Sequence, residues 1–298
     1  MIRFFTCIFT FILVLVNALF VIFVVTPLGL LRFIPIKPFQ IFILRINEKF
    51  SELYLFFNSR LQDVMHKSKF EVHGQEKLKK DMWQFTTINH LSWADIFVYL
   101  YFCNYRQSVP RIFMKSQLWW LPITWTANLG LAMPFVVRRS KEAIKANPKL
   151  AETDKNATRR ACKMYQIMPT NVGGFIEGTR IDKQKYLASK SKFKNLMPPK
   201  IGGMGYTLEV MPYIDHLTDV TIVYKSDKRS FWNFLCGDLN EASVTINTYE
   251  IPKELRGVDY ADNDEMRDKL KSFLESVWEV KDEIIENEKK KFGIESVF

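Results

Sequence analysis

A histidine and an aspartate lie five positions apart in the segment NHLSWAD, residues 89–95. A histidine that accepts a proton near neutral pH benefits from a carboxylate on its other ring nitrogen, because the carboxylate fixes the tautomer and stabilises the imidazolium. A turn into a helix can fold Asp95 back towards His90. The spacing therefore predicts that His90 is a general base oriented by Asp95. Such a base accelerates a reaction by roughly 10²–10⁴-fold.

The same segment also allows a structural interpretation. Ser92 and Asp95 match a capping box, in which the two side chains satisfy backbone donors at the start of a helix. His90 would then be an ordinary loop residue. Ser92 lies two positions from His90, and we do not expect it to act as a nucleophile.

A second segment, FIEGTR at residues 175–180, is an apolar strand that ends in a charged turn. The planar guanidinium of Arg180 suits phosphate oxygens, and Gly178 lets the backbone approach a ligand closely. Thr179 adds a hydroxyl, and Glu177 can orient Arg180. The alternative is a surface turn with a Glu–Arg ion pair of little energetic value.

A third segment, MPFVVRR at residues 133–139, ends an apolar strand with two arginines. Arg138 can complete an anion site, or both arginines can simply be solvated.

The four cysteines, at positions 7, 103, 162 and 236, form no Cys-x-x-Cys pattern. We therefore predict neither a metal site nor a disulfide framework, and a reducing cytoplasm is the simpler interpretation.

Composition and charge limit the classes of function. The chain has 298 residues, of which 48% are apolar and 25% charged, so it can bury a core. Its net charge of +10 suits nucleic acid, an anionic membrane surface or an anionic substrate. Nucleic-acid binding predicts exposed aromatic residues interleaved with Lys and Arg. The aromatic residues here cluster in the N-terminal and core-like segments, so we expect no nucleic-acid partner.

The N-terminal segment from Phe4 to Leu31 contains no charged residue. It exceeds the roughly 20 residues that cross a bilayer as a helix. Pro27 and Gly29 interrupt it, so it predicts either one spanning helix or a helix followed by a bent, shallow segment. A cleaved signal peptide is the alternative, but the run is longer than a signal h-region and no Ala-x-Ala site follows.

Flanking charges predict the orientation of this anchor. Only Arg3 precedes the apolar run, and the basic residues that follow it closely are Arg32, Lys37, Arg45 and Lys49. The positive-inside bias predicts that the catalytic domain faces the cytoplasm, on the inner membrane if the protein is bacterial. We expect an anchor over residues 1–49 and one globular domain over residues 50–298.

Strand and helix patterns alternate along this domain, which predicts an α/β fold. Predicted strands cover residues 69–74, 83–88, 134–137, 173–176, 220–224 and 243–249. Predicted helices cover residues 38–67, 148–168 and 264–290, and a further helix is predicted to begin at Ser92. The first of these helices is amphipathic and can lie along a membrane surface.

Taken in chain order, the segments at residues 89–95, 133–139 and 175–180 resemble the ordered motifs of the glycerolipid acyltransferases, a family that includes the 1-acylglycerol-3-phosphate acyltransferases. The resemblance covers roughly residues 69–225. It implies a mixed sheet flanked by helices, similar to glycerol-3-phosphate acyltransferase, behind an N-terminal membrane helix. One departure is a fourth family motif, a proline within an apolar strand. Residues 210–214 match it only loosely, and residues 198–204 look more like the branch that acts on lysophosphatidic acid.

The resemblance also implies a mechanism. His90, oriented by Asp95, would activate the free hydroxyl of a lysophospholipid, which attacks the thioester of acyl-CoA or acyl carrier protein directly. Neither a bound cofactor nor a metal is implied. The residues implied to hold the phosphate are Arg138, Glu177, Gly178, Thr179 and Arg180. Two alternatives stay open: an acyltransferase for another lipid acceptor, and a non-catalytic, membrane-tethered binder of anionic lipid.

Overall fold

The computed structural model describes residues 2–103, 106–112, 114–115, 120, 128–130, 133, 135–136, 148–166, 168–261 and 263–297. Within these ranges an N-terminal helical hairpin packs against an α/β body. The predicted strand over residues 134–137 is described only at Phe135 and Val136.

The first arm of the hairpin is formed by α1 (Ile2–Phe20), a π-helical turn (Val21–Val25) and α2 (Thr26–Leu31). Pro27 lies in the first turn of α2, directly after the π-helical turn. The second arm is α3 (Lys37–Leu61), which continues into a π-helical turn (Gln62–His66). This confirms the predicted amphipathic helix. Because α3 runs without a break through residue 50, the boundary between anchor and domain stays a prediction.

Hydrogen bonds join the first arm to the rest of the chain. The Thr10 hydroxyl lies 3.2 Å from Nε2 of the buried His66, and Asn17 Nδ2 donates to the carbonyl of Tyr54 at 3.2 Å. In the described part of the chain, one helix, Arg3–Leu31, is both long enough and apolar enough to cross a membrane. Its outward face exposes large apolar side chains: Phe4, Phe5, Phe9, Phe11, Ile12, Leu15, Val16, Leu19 and Phe23.

The body contains a mixed sheet. Its strands are β1 (Lys69–His73), β2 (Gln84–Ile88), β3 (Arg111–Ile112), β6 (Asn171–Gly174), β7 (His216–Tyr224) and β8 (Glu241–Glu250). Among the described residues they lie in the order β1-β8-β7-β2-β6-β3, and β4 (Met114–Lys115) pairs with β5 (Phe135–Val136). Only the β7–β8 pair is antiparallel among these pairings.

Helices cover this sheet. They are α4 (Asp95–Cys103), α5 (Pro148–Cys162), α6 (Lys183–Ser189), α7 (Ile201–Val210), α8 (Phe231–Leu235) and α9 (Asp264–Phe292). The long helix α9 buries a stripe at helical spacing that includes Leu270, Leu274 and Trp278. The predicted fold class, a mixed sheet flanked by helices with an N-terminal apolar helix, is confirmed.

Two features considered in the sequence differ from the structure: the end of one predicted strand, and the region that loosely matches the fourth family motif. Strand β6 ends at Gly174, so Phe175 and Ile176 already belong to the turn after it. Residues 210–214 comprise the last residue of α7 and the turn before β7, rather than a strand. The sequence did not predict α7, because its glycines disfavour a helix. Close packing explains one of them: a Cβ on Gly205 would lie 3.2 Å from the Tyr260 ring.

Candidate active site

Three neighbouring strands bring the motif segments together. Strand β2 lies between β6 and β7 and is parallel to both, so the carboxyl ends of all three meet at one edge of the sheet. His90 follows β2, the turn at residues 177–180 follows β6, and Tyr224 is the last residue of β7. Clefts at this edge are where open α/β sheets bind ligands.

His90 and Asp95 are in direct contact. Oδ2 of Asp95 lies 3.0 Å from Nδ1 of His90, and it accepts the backbone N–H groups of Leu91 and Ser92 at 2.8 Å each. The Ser92 hydroxyl in turn accepts the N–H of Ala94 at 3.0 Å. The capping interpretation and the His–Asp pair therefore coexist, since the cap directs Asp95 back onto the turn that carries His90.

The surroundings of the pair fix the imidazole. Asp95 is completely buried, whereas the His90 side chain is 14% exposed. A carboxylate at Nδ1 favours the tautomer in which Nδ1 carries the proton and Nε2 the lone pair. The His90 ring stacks on Phe175, with ring centroids 3.8 Å apart and an interplanar angle of 19°. The ring is thus held from its edge and from one face.

Backbone contacts hold the turn on which His90 lies. The Asn89 side chain exchanges two hydrogen bonds of 2.8 Å with the backbone of Ile222, which continues the β2–β7 pairing past the end of β2. The carbonyl of His90 accepts the N–H of Ile181 at 2.9 Å. The turn that carries His90 is therefore attached to β7 and to the segment that follows β6.

Tyr224 is a site residue that sequence reasoning missed. Its hydroxyl donates to Oδ1 of Asp95 at 2.9 Å, and the side chain is buried. Burial, reinforced by the charge of Asp95, raises the pKa of Tyr224 well above its usual value, so its hydroxyl stays a donor. The available signal was a phenol at the carboxyl end of the predicted strand over residues 220–224.

Glu177 lies behind the turn instead of beside Arg180. Its side chain is buried, its Oε1 accepts the N–H of His90 at 3.0 Å, and its Oε2 accepts the N–H of Met197 at 3.4 Å. Burial raises the pKa of Glu177 to about 7, although these hydrogen bonds and the charge of Lys281 oppose the increase. The carboxylate therefore joins two loops to each other, a contact that the sequence did not predict.

The three residues after Glu177 face outwards. Gly178 has a φ of +78°, and a Cβ there would lie 2.9 Å from Nζ of Lys200. Thr179 is half-buried and Arg180 is exposed, with its guanidinium carbon 4.9 Å from the centre of the Trp93 ring. Arg180 of the segment at residues 175–180 thus contacts Trp93 of the segment at residues 89–95.

Arg138 lies outside the described residues, and its role stays a prediction.

Comparison with known proteins decides the family. The model of the acyltransferase family matches residues 69–225, more than half of the chain. This chain belongs to the acyltransferase family. The match confirms the family membership predicted from the three motifs. No curated protein sequence matches the chain.

A solved structure similar to this acyltransferase is that of the 1-acyl-sn-glycerophosphate (LPA) acyltransferase PlsC from Thermotoga maritima. The two chains are 16% identical and superpose with a TM-score of 0.51, over 97% of this chain and 98% of that chain. This similarity concerns the fold, and it includes the N-terminal hairpin and α9 of the acyltransferase, both of which lie outside the family match.

Proposed function

We propose that this acyltransferase moves a fatty acyl group from an acyl thioester to the free hydroxyl of a lysophospholipid, with 1-acylglycerol-3-phosphate as its preferred acceptor. The donor is acyl-CoA or acyl carrier protein, and the product enters phospholipid biosynthesis or remodelling. The observation that supports this proposal is the geometry of His90, which is held by the buried Asp95 and lies at the same sheet edge as the outward-facing Arg180.

The proposed reaction needs one proton carrier. Nε2 of His90 takes the proton of the acceptor hydroxyl while that oxygen attacks the carbonyl carbon of the thioester. The tetrahedral intermediate then collapses, the carbon–sulfur bond breaks, and the thiolate receives the proton from His90. Asp95 stabilises the imidazolium between these two steps. Because Ser92 donates its hydroxyl hydrogen to the carbonyl of Arg229, we do not involve it in the chemistry.

The acceptor phosphate fits the turn after β6. Arg180 supplies a forked, charged donor, Thr179 a hydroxyl, and Gly178 a backbone that a ligand can approach. We propose that these residues, together with Arg138, bind the phosphate, while Glu177 positions the backbone behind them. A phosphorylated glycerolipid is favoured over other lipid acceptors for this reason.

We also propose that the hairpin holds the enzyme at a membrane with the catalytic body on its cytoplasmic face. Both ends of the apolar segment contact the same body: Arg3 forms an ion pair with Asp238 at 2.7 Å, and Arg32 donates to the carbonyl of Asn128 at 2.9 Å. These contacts favour a hairpin that enters one leaflet and leaves its N-terminus on the side of the body. In this arrangement the lipid would bury the apolar face of the hairpin that is exposed in the protein.

Labelling from one side of the membrane tests this arrangement. In sealed vesicles with the body outside, a tag before Met1 should react with an impermeant reagent as readily as a tag after Phe298. Protection of only the N-terminal tag would show that the segment crosses the bilayer and would contradict the one-leaflet arrangement.

Mass spectrometry of lipid products tests the proposed activity. The protein in vesicles is given acyl-CoA and an equimolar mixture of lysophospholipids that includes 1-acylglycerol-3-phosphate. We expect phosphatidic acid to form fastest, and His90→Ala to form none while staying folded and membrane-bound. Faster transfer to a different lysophospholipid would show that this lipid, and not 1-acylglycerol-3-phosphate, is the preferred acceptor. Binding without turnover for every acceptor, with acyl carrier protein as well as CoA donors, would reject the enzymatic proposal.

A further inference from the structure

The loop at residues 190–200, which follows α6, brings a lysine to the turn after β6. The backbone N–H of Lys200 donates to the carbonyl of Ile176 at 2.7 Å. The side chain of Lys200 then runs along the turn, because a Cβ built on Gly178 would lie 2.9 Å from its Nζ, 3.1 Å from its Cδ and 3.4 Å from its Cε. Gly178 and Lys200 are both exposed. The ammonium group therefore lies beside the backbone of Gly178 at the protein surface.

The ammonium of Lys200 is available to a ligand. Within the described ranges no carboxylate forms an ion pair with it. Lys185, which also lies close to this turn, differs in this respect. Its ammonium donates to the carbonyl of Arg180 at 3.0 Å and pairs with Asp182 at 2.7 Å. Lys200 thus adds a positive charge to the turn that these protein groups do not neutralise.

Helix α9 holds this loop in place, although the helix lies outside the region that matches the family. The carboxylate of Asp282 accepts the N–H groups of Lys194 and Asn195 at 2.8 Å each, and Nε1 of Trp278 donates to the carbonyl of Met197 at 3.1 Å. The two residues that follow are prolines, whose rings restrict the backbone. The loop is therefore ordered before a ligand arrives, which lowers the entropic cost of binding.

Lys200 and Arg180 approach the same turn from different parts of the chain. Arg180 lies in the turn itself, with its guanidinium over the Trp93 ring, whereas Lys200 lies beside Gly178. The Cα atoms of residues 178 and 180 are at most about 7 Å apart, since consecutive Cα atoms are about 3.8 Å apart. A phosphate group has several acceptor oxygens, so one phosphate can bind a forked guanidinium and an ammonium together.

We propose that Lys200 is a second cation of the acceptor site, and that it makes the enzyme prefer a phosphate monoester to a phosphate diester. This inference rests on the proposed function and names a residue that selects the acceptor. A monoester carries a charge of about −1.5 to −2 at pH 7, whereas a diester has lost the second ionisable oxygen. A second cation therefore stabilises a bound monoester more than a bound diester.

Kinetics with two acceptors test the proposal. The wild type, Lys200→Gln and Lys200→Arg, each in phosphatidylcholine vesicles, are supplied with acyl-CoA and either 1-acylglycerol-3-phosphate or 1-acylglycerol-3-phosphoglycerol. We expect Lys200→Gln to raise the KM for the monoester about tenfold and the KM for the diester by no more than about twofold, with kcat nearly unchanged. Lys200→Arg keeps the charge and should retain most of the preference.

Lys194→Gln is the matched control. Lys194 is an exposed lysine of the same loop, and it is its backbone N–H that contacts Asp282. This variant should leave both KM values at the wild-type level. A wild-type KM for the monoester in Lys200→Gln, or an equal rise of the KM for both acceptors, would overturn the proposal.

Amine labelling supplies a measurement that needs no turnover. His90→Ala in phosphatidylcholine vesicles is treated with an amine-reactive reagent, with and without 1-acylglycerol-3-phosphate, and labelled peptides are quantified by mass spectrometry. We expect the lipid to slow labelling of Lys200 at least severalfold and to leave labelling of Lys194 unchanged. Equal labelling of Lys200 with and without the lipid would overturn the proposal. Protection of Lys200 in a wild-type protein that transfers no acyl group would instead reject the proposed function and keep the anion site.

Discussion

The hydroxyl of Tyr224 donates to the oxygen of Asp95 that does not face His90, at 2.9 Å. Asp95 therefore receives hydrogen bonds on both oxygens, from the imidazole and two backbone N–H groups on Oδ2 and from the phenol on Oδ1. A carboxylate held in this way cannot rotate to release the histidine. Orientation of His90, the proposed base, thus depends on the end of β7 as well as on the motif itself.

Replacing Tyr224 with Phe should slow catalysis. Loss of a hydrogen bond to a charged group costs about 1.5–3 kcal/mol, and we expect kcat to fall by about tenfold or more as Asp95 loosens. Steady-state kinetics at saturating substrates measures this. Tyr99→Phe is the matched control, because its buried hydroxyl bonds to Gln107 and Asn171 instead. Equal losses of kcat in both variants would contradict the role of Tyr224.

Removing the guanidinium of Arg180 should weaken binding of the acceptor. Arg180→Ala is expected to raise the acceptor KM by about 10–100-fold with a smaller change in kcat, because a charged hydrogen bond is worth about 1.5–3 kcal/mol. Trp93→Leu should raise it about two- to fivefold by removing the cation–π contact. Arg159→Ala, which alters an exposed arginine of α5, is the control. An unchanged KM in Arg180→Ala would remove the phosphate assignment.

A side chain at Gly178 should disturb the turn at residues 177–180, which we propose to bind the acceptor phosphate. Gly178→Ala forces alanine into a left-handed conformation, which costs roughly 1–2 kcal/mol, and brings a methyl group against Lys200. Gly237 has a nearly identical φ of +79° and lies against His66. Both alanine variants should lower the free energy of unfolding, but only Gly178→Ala should raise the acceptor KM. A raised KM in both would indicate a general effect of strain.

Stability should depend on pH through His66. Burial lowers its pKa to about 4, so between about 4 and 6.5 the folded state binds fewer protons than the unfolded state. The free energy of unfolding should therefore decrease as the pH is lowered through this window. At pH 5 the His66 contribution should be about 2 kcal/mol less favourable than above pH 7. Glu177, with its pKa raised to about 7, acts in the opposite direction between about 4.5 and 7.

Comparing the pH dependence of stability in the wild type and in His66→Gln isolates the contribution of this histidine. Denaturant unfolding in detergent from pH 5 to pH 8 should give a smaller loss of stability on acidification for His66→Gln. Thr10→Val removes the hydroxyl that contacts the ring but no titratable group, so it should keep the wild-type dependence. Parallel curves for His66→Gln and wild type would contradict the prediction.

Much of the fold was predictable because its signals are local. The strand at residues 69–73, the helix after residue 92 and the long C-terminal helix follow from apolar periodicity over a few turns. The helix α7 was missed because tertiary packing, as at Gly205 against Tyr260, overrode the low helix propensity of its glycines. Strand β6 ends two residues before the predicted end, where Phe175 stacks on the ring of His90.

The sequence by itself determined the residue types of the site, the order of its motifs and the apolar N-terminal segment. Only the tertiary structure decided that Tyr224 contacts Asp95, that Glu177 holds the backbone of His90, and that Lys281 is buried beside Asp219. Each of these pairs is separated by tens of residues or more along the chain. Periodicity and spacing act over one element, whereas such contacts depend on the order in which β6, β2 and β7 pair, and packing of the whole sheet sets that order.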